Sequence, residues 1–356
     1  MKIRGNIVSF EACDTAFVHK VGMAEAADMV LDFKATNRLP FLYDTFQLAS
    51  FLGWSRQKLF YYAQNAERDY RAITIKKENG QDRKLYAPSP TLRRCQSQIQ
   101  RRILAALPVS TYATAYAGGS TLARNATPHV GKRYLLKLDI TDFFGNIRFF
   151  QVYSSAFNTK YFPKQIGVML TALCCRKDVL PQGSPASPAL SNLVMQRFDD
   201  NIGQWCEKNG ISYTRYCDDM TFSSDRPLFA VYQKAKFMLE TMGFELNEKK
   251  TRFVTNANRQ SVTGLTVNEK VAVSKEYKRQ LRQDIYYALK FGPEDSILHA
   301  NRMEFIDDSG PDADRYLNHL IGKLNFVLQI EPDNQWFRDA LEKVKQKRET
   351  FCEVVG

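Results

Sequence analysis

Apolar residues recur at helical spacing through DTFQLASFLGWSRQKLFYYAQNAE, residues 44–67, with a break at Gly53 and a restart capped by Ser55. The pattern predicts a helical region over residues 1–70. At Tyr70 the period changes to two: YRAITIKKENGQDRKLYAPSP alternates on either side of Asn79-Gly80, a strong turn signal, and predicts a hairpin. TLRRCQSQIQRRILAAL then reads as a helix with a basic face, and RYLLKLDI as a strand rich in β-formers. FFQVYSSAF, YFPKQIGVMLTALCC and SPALSNLVMQRFDDNIGQWCEKNG read as helices. ISYTRYCDDMTFSS reads as two strands meeting at a turn, PLFAVYQKAKFMLETMGFELN as a helix ending at Gly243, and SVTGLTVN as a strand. Residues 275–350 read as mostly helical, broken near DDSGPDAD. Runs of strand followed by helix make this an α+β chain.

Composition narrows the class. The 356 residues suggest two domains, or one large fold with an appendage. A hydrophobic content of 44% is ample for a core. No run of about 18 apolar residues spans a membrane, and MKIRGNIVSFEACD lacks a signal-peptide core, so a cytosolic location is expected. Seven cysteines, an odd number without a CxxC pair, are expected to be reduced, with neither a disulfide framework nor a zinc site. The net charge of +12 points to a polyanionic partner. From Arg71 to Leu104 there are nine basic residues against two acidic ones, and a second basic cluster runs from Lys270 to Lys290. The first set reads as a phosphate-facing groove.

Against that charge, Asp218 and Asp219 stand side by side between two strand-forming runs. A plain turn expects one Asp beside Gly or Asn. Asp139 ends another apolar strand, and Asp142 follows three residues later. If the strands are neighbours in one sheet, Asp139 and Asp218 converge at its edge. Convergent carboxylates repel and call for divalent cations. Mg²⁺ takes oxygen ligands, waters and substrate phosphates, and two such ions about 4 Å apart serve phosphoryl transfer.

Here the residues resemble a family. YCDD resembles the Tyr-x-Asp-Asp box of reverse transcriptases, LDITDFF their first metal motif and LPQGSPASPALSN their Pro-Gln-Gly motif. GFELNEKKT is similar to the lysine motif that follows, and ITIKKENGQDRKLYAP to the fingers hairpin. NATPH (Asn125 to His129) and VTG (Val262, Thr263, Gly264) are similar to two elements of bacterial retron reverse transcriptases, and LIGKLNFV to a thumb helix. Cys217 departs from the Ala usual in the retron box and raises the expectation of a site sensitive to oxidation.

The resemblance implies a right-hand polymerase with an N-terminal helical region (1–70), fingers and palm (71–265) and a helical thumb (266–356). It implies Asp139, Asp218 and Asp219 as the metal cluster, with the Ile140 backbone as a further ligand, for two Mg²⁺ ions that Mn²⁺ replaces. Lys76 and Arg83 would close on the deoxynucleoside triphosphate, with Lys77 a competitor for the Lys76 role. Asp142, Gln182 and Gly183 would shape the nucleotide pocket, and Phe144 would exclude a 2′-hydroxyl, leaving Phe143 to the core. Lys250, with Lys249 as rival, would serve the leaving pyrophosphate. Asn125, His129, Val262, Thr263, Gly264, Lys275, Lys278, Arg279 and Arg282 would serve RNA binding, His129 by packing or RNA contact rather than catalysis. The further implications are a cognate structured noncoding RNA, priming from an internal guanosine 2′-hydroxyl, a branched RNA–DNA product, a cytoplasmic setting in a bacterium, an effector protein from the same locus, antiphage defence, and trimming by a host RNase H. The rival readings are a group II intron or abortive-infection reverse transcriptase, a noncatalytic RNA-binding scaffold, and an RNA-dependent RNA polymerase, which Phe144 disfavours.

Overall fold

The computed structural model describes residues 39–76, 80, 82–307 and 310–355. Most of the expected N-terminal helical region, and Lys77 and Asn79 of the hairpin, lie outside the described residues. Two compact units emerge. The first takes in the described residues up to Ser120 together with Lys137–Thr221 and Phe229–Arg252; the second takes in Thr121–Leu136, Phe222–Leu228 and the chain from Phe253.

In the first unit, α1 (Thr45–Leu52) starts where Asp44 Oδ1 accepts from the Gln47 N–H at 2.7 Å and stops at left-handed Gly53. Ser55 caps α2 (Arg56–Asn65) through the Lys58 N–H at 3.2 Å. Both caps satisfy donors that a helix start leaves open. Strands β1 (Tyr70–Lys76) and β2 (Asp82–Pro88) pair antiparallel from Tyr70↔Pro88 to Lys76↔Asp82. In α3 (Pro90–Arg102), Leu92, Cys95, Gln96 and Ile99 face inward at helical spacing while Arg93, Arg94, Arg101 and Arg102 are exposed. The helices α6 (Phe149–Ala156), α7 (Lys164–Cys174) and α8 (Ser187–Lys208) build the core: α7 packs on α2, α3 and α6, and α8 packs on α6. Each fully buried side chain there, such as Leu170, Leu190 or Phe198, contributes about 1.5–3 kcal/mol.

The central sheet has the order β4-β5-β3-β6, from β3 (Tyr134–Asp139), β4 (Ser212–Tyr216), β5 (Asp219–Ser224) and β6 (Arg252–Thr255). The acid-bearing ends of β3 and β5 belong to the first unit, which also holds the short helix α5 (Phe143–Asn146) and helix α9 (Phe229–Thr241).

The second unit holds the short helix α4 (Leu122–Ala126) and a three-stranded sheet of β7 (Ser261–Val262), β8 (Leu265–Thr266) and β9 (Ala272–Val273). SVTGLTVN is therefore not one strand. Thr263 and Gly264 both take positive φ, 45° and 84°, and fold it into a tight hairpin of the I′ kind. Helices α10 (Lys275–Lys290), α11 (Pro293–His299), α12 (Ala313–Ile330) and α13 (Gln335–Val355) follow. Leu281, Ile285, Leu317, Leu320, Leu324, Phe337 and Val344 join one buried cluster with Val262 and Leu265. The break expected near residue 307 is a hairpin of β10 (Ile306–Asp307) and β11 (Gly310–Pro311). Among the described residues no helix is long and apolar enough to cross a membrane, and all five described cysteine side chains are free.

Candidate active site

The site begins with a two-residue turn. Cys217 and Asp218 join β4 to β5, and Cys217 takes φ 60°. Positive φ in the first turn position is the II′ pattern, which favours Gly; Cys there costs about 1–2 kcal/mol. The turn is held from below by Arg215, whose Nη1 donates to the Cys217 carbonyl at 2.9 Å. From the side, the Ile140 N–H donates to the Asp218 carbonyl at 3.2 Å. That bond ties the turn to the residue after Asp139, so the two acid-bearing strand ends adjoin. The Asn247 N–H donates to the Asp139 carbonyl at 2.8 Å, and Lys250 Nζ donates to Asp139 Oδ2 at 2.7 Å. Lys249 makes no such contact with Asp139.

The acids of the site act on one another. Burial, then the Asp139 charge beside it, raises the Asp218 carboxyl above the usual range, offset in part by Lys250 and Arg83. Partial desolvation and the charges of Asp218 and Asp139 raise Asp219 to about 6. Its side chain is exposed, so solvent screening trims that effect. The hydrogen bond to Asp139 raises Lys250 in turn. Among the described residues no three His, Cys, Asp or Glu side chains close into a ready-made metal site. The donors are nevertheless hard oxygens, three carboxylates whose charge Lys250 and Arg83 offset only in part. They suit a divalent cation whose remaining ligands come from water and substrate phosphates.

A carboxyl raised in the fold adds stability only while protonated. That contribution is complete below the unfolded carboxylate range and is lost as pH rises through about 6. Asp219→Asn should therefore melt with the wild type at pH 4 and above it beyond pH 6 in chelator. Equal melting temperatures at pH 7.5 would show that the acids do not repel.

Burial pushes the Cys217 thiol up to about 11, with the Tyr116 hydroxyl beside it, which disfavours the thiolate at neutral pH.

A cavity of about 410 Å³ opens over the turn, lined among others by Arg83, Tyr116, Phe144, Gln182, Gly183 and Asp218. Gly183 has a specific reason to be Gly. Its φ is 125°, a Cβ would stand 2.7 Å from the Tyr86 carbonyl, and the Tyr86 N–H donates to the Gln182 carbonyl at 2.7 Å. The loop thus grips the root of the β1–β2 hairpin. Phe144 is half-buried at the cavity wall, whereas Phe143 is buried against Phe244 with ring centroids 6.0 Å apart.

Other expected residues lie elsewhere. Lys76 is exposed at the hairpin end, paired with Asp82 at 2.9 Å, and is not in the cavity wall. Asp142 is exposed in left-handed conformation at the start of α5, outside that wall. In the second unit, Asn125, His129 and Val262 are buried, so they reach RNA only through what they support. His129 Nδ1 bonds with Ser223 Oγ at 2.7 Å, and burial lowers it to about 3, leaving it neutral. Asn125 Nδ2 donates to Thr263 Oγ1 at 3.4 Å, which joins the NATPH and VTG elements. Gly264 is exposed at that turn. Lys275, Arg279 and Arg282 are exposed, while Lys278 is committed to Glu331 at 2.7 Å.

Sequence reasoning missed Tyr116, which enters the cavity from a loop with φ 58°. It named Arg93, in the cavity wall, only within the basic run, and missed the Arg215–Asp199 pair beneath the turn. Arg93 carried a signal, the basic run; Tyr116 and Asp199 carried none.

Paired acids at adjoining strand ends, under a cavity with an arginine rim and an aromatic wall, define a template-directed polymerase palm. Residues 75–278 match the family model for reverse transcriptase (RNA-dependent DNA polymerase). The retron Ec86 reverse transcriptase of Escherichia coli is 31% identical over 76% of this chain and 86% of its own. The retron Mx65 reverse transcriptase of Myxococcus xanthus is 30% identical over 80% of this chain and 68% of its own, and the retron Ec83 reverse transcriptase of Escherichia coli is 31% identical over 77% and 86%. The chain belongs to the reverse transcriptase family, in its retron group, and is an RNA-directed DNA polymerase with the family's right-hand fold.

Proposed function

We propose that this polymerase copies a structured noncoding RNA from its own locus, starts from an internal guanosine 2′-hydroxyl, and leaves a branched RNA–DNA product. It would act in antiphage defence beside an effector protein, with a host RNase H trimming the template. The observation that carries the chemistry is the meeting of Asp139 and Asp218 at adjoining strand ends through the Ile140–Asp218 bond. The retron relatives and the Asn125–Thr263 contact between the two retron-like elements support the finer reading.

The residue roles in this reading are as follows. Asp139 and Asp218 are the metal ligands, with Asp219 in support and the Ile140 backbone beside them. Two Mg²⁺ ions, or Mn²⁺ in their place, supply activation of the attacking hydroxyl and stabilisation of the leaving oxygen when bound. The primer hydroxyl attacks the α-phosphate of a deoxynucleoside triphosphate, and pyrophosphate leaves. Arg83 clamps the triphosphate from the cavity wall, and Lys76 joins it when the hairpin closes. Gln182 and Gly183 floor the pocket, Phe144 faces the sugar, and Lys250 neutralises the departing pyrophosphate. Asp142, outside the cavity wall in this structure, would shape the nucleotide pocket from the start of α5. Thr263, Gly264, Lys275, Arg279 and Arg282 meet RNA, and Asn125, His129, Val262 and Lys278 hold the surfaces that do. Recognition of an RNA duplex rests on shape and 2′-hydroxyls and weakens with salt.

The test is the nucleic acid that copurifies when the protein is expressed from its native locus. Wild type should carry a discrete RNA-linked DNA that debranching enzyme releases, and Asp218→Ala/Asp219→Ala should carry RNA alone. Unbranched DNA in the wild type would point to another reverse transcriptase type. The same RNA and no DNA in both, together with no extension of a primer on a generic RNA template, would make the protein a scaffold.

A further inference from the structure

Arg215 is a full charge in the interior of β4, and its side chain is completely buried. Each of its three guanidinium nitrogens has a partner. Nε donates to Asp199 Oδ1 and Oδ2 at 2.9 and 3.1 Å, and Nη2 donates to Asp199 Oδ2 at 2.6 Å. Nη2 also donates to Asn192 Oδ1 at 3.2 Å, and Nη1 to the Cys217 carbonyl at 2.9 Å. Asp199 accepts one more bond, from the Tyr213 hydroxyl at 2.7 Å.

These partners belong to three parts of one site. Asn192 and Asp199 lie seven residues apart on one face of α8, the helix that begins just past the Gln182–Gly183 loop. The Cys217 carbonyl belongs to the turn that carries Asp218. The third part is the segment that brings Tyr116 into the cavity. Asn192 Nδ2 donates to the Ala115 carbonyl at 2.8 Å, the Thr114 N–H and Oγ1 donate to the Arg215 carbonyl at 2.8 and 2.9 Å, and the Arg215 N–H donates to the Tyr112 carbonyl at 2.8 Å.

A buried ion pair is a weak source of stability, because well-packed apolar residues often do as well. What an apolar pair cannot supply is a rigid fork aimed at several acceptors at once. One arm of this fork meets the carbonyl of a residue held at positive φ, next to a carboxylate in the site. We propose that Arg215 is a positioning residue for nucleotidyl transfer: its guanidinium locks the Cys217–Asp218 turn to α8 and so sets where Asp218 stands against Asp139. The proposal rests on the assignment of Asp218 to the chemistry.

Two variants test it. Arg215→Lys keeps the charge opposite Asp199 but cannot span Asp199 and the Cys217 carbonyl together. Asp199→Leu/Arg215→Met removes the pair without stranding a charge. Each would be measured for thermal melting, for single-turnover incorporation on a primed RNA template across deoxynucleotide concentrations, and for amide exchange at residues 217–219. The expected result is a cooperative melt, a rate at saturation lowered about 100-fold, an apparent KM within about threefold of wild type, and faster exchange at the turn. A folded variant with a rate within about threefold of wild type and unchanged exchange would overturn the proposal. So would a failure of both variants to fold, which would make Arg215 a folding residue only. Asp218→Asn is run alongside: if it stays active, the assignment of Asp218 fails, while the exchange rates still decide whether Arg215 holds the turn.

Discussion

Asp218→Asn is expected to leave a folded protein that incorporates deoxynucleotides at least about 10³-fold more slowly, the scale of several kcal/mol of lost transition-state stabilisation. Asn keeps the shape of the side chain and the backbone bonds of the turn. It removes only the charge, and that charge is unfavourable in the metal-free fold, where burial and Asp139 raise the Asp218 carboxyl. Stability and activity should therefore move in opposite directions, with the melting temperature level or higher in chelator and the rate collapsed. A purely structural Asp218 predicts the reverse pairing, and a variant that melts early but retains turnover would refute the catalytic role. Asp139→Asn should lose a similar factor and also release Lys250, whose Nζ holds Asp139 Oδ2 at 2.7 Å.

Phe144→Ala is expected to lower the preference for deoxynucleotides over ribonucleotides by about 10–200-fold, the range that a shaped apolar wall can command. The ring lines the cavity while its neighbour Phe143, at a centroid distance of 5.3 Å, turns into the core. This division of labour makes the test clean. Phe144 is half-buried, so its loss costs little stability, and Phe143 keeps α5 anchored on Phe244. The measurement is kcat/KM for matched deoxy and ribo substrates. An unchanged ratio would show that the wall is not the gate and that another group selects the sugar.

Much of the fold is legible in the sequence because local chemistry is decisive there. The Asp44 and Ser55 caps, Gly53 and the alternation around Asn79-Gly80 act within a few residues, and the elements follow. The meeting of Asp139 and Asp218 is legible in the sequence only on the condition that their strands are neighbours, and the sheet order, with β3 beside β5, meets that condition. What escapes is non-local or smaller than an element. The turn at Thr263-Gly264 breaks a run of strand-forming residues because two successive positive φ angles are required, and a β-branched Thr does not advertise one. Arg215 stands beside the acid pair, but its partner lies on a helix 16 residues earlier, and nothing local announces their contact. The same holds for Lys76, whose position on the hairpin is predicted while its pairing with Asp82 is not.

The order of the central sheet carries a consequence for the nascent chain. Strand β3 lies inside the sheet between β5 and β6, and both of those are made after it, β5 about 80 residues later. At a synthesis rate of about 5–20 residues per second, several seconds pass before either neighbour exists. During that interval the edges of β3 have no strand to pair with, and Leu135, Leu136 and Leu138 wait for the core that later buries them. The strand that ends in Asp139 thus stays unpaired on the nascent chain for that interval, and codons that slow translation between residues 140 and 218 would lengthen its exposure.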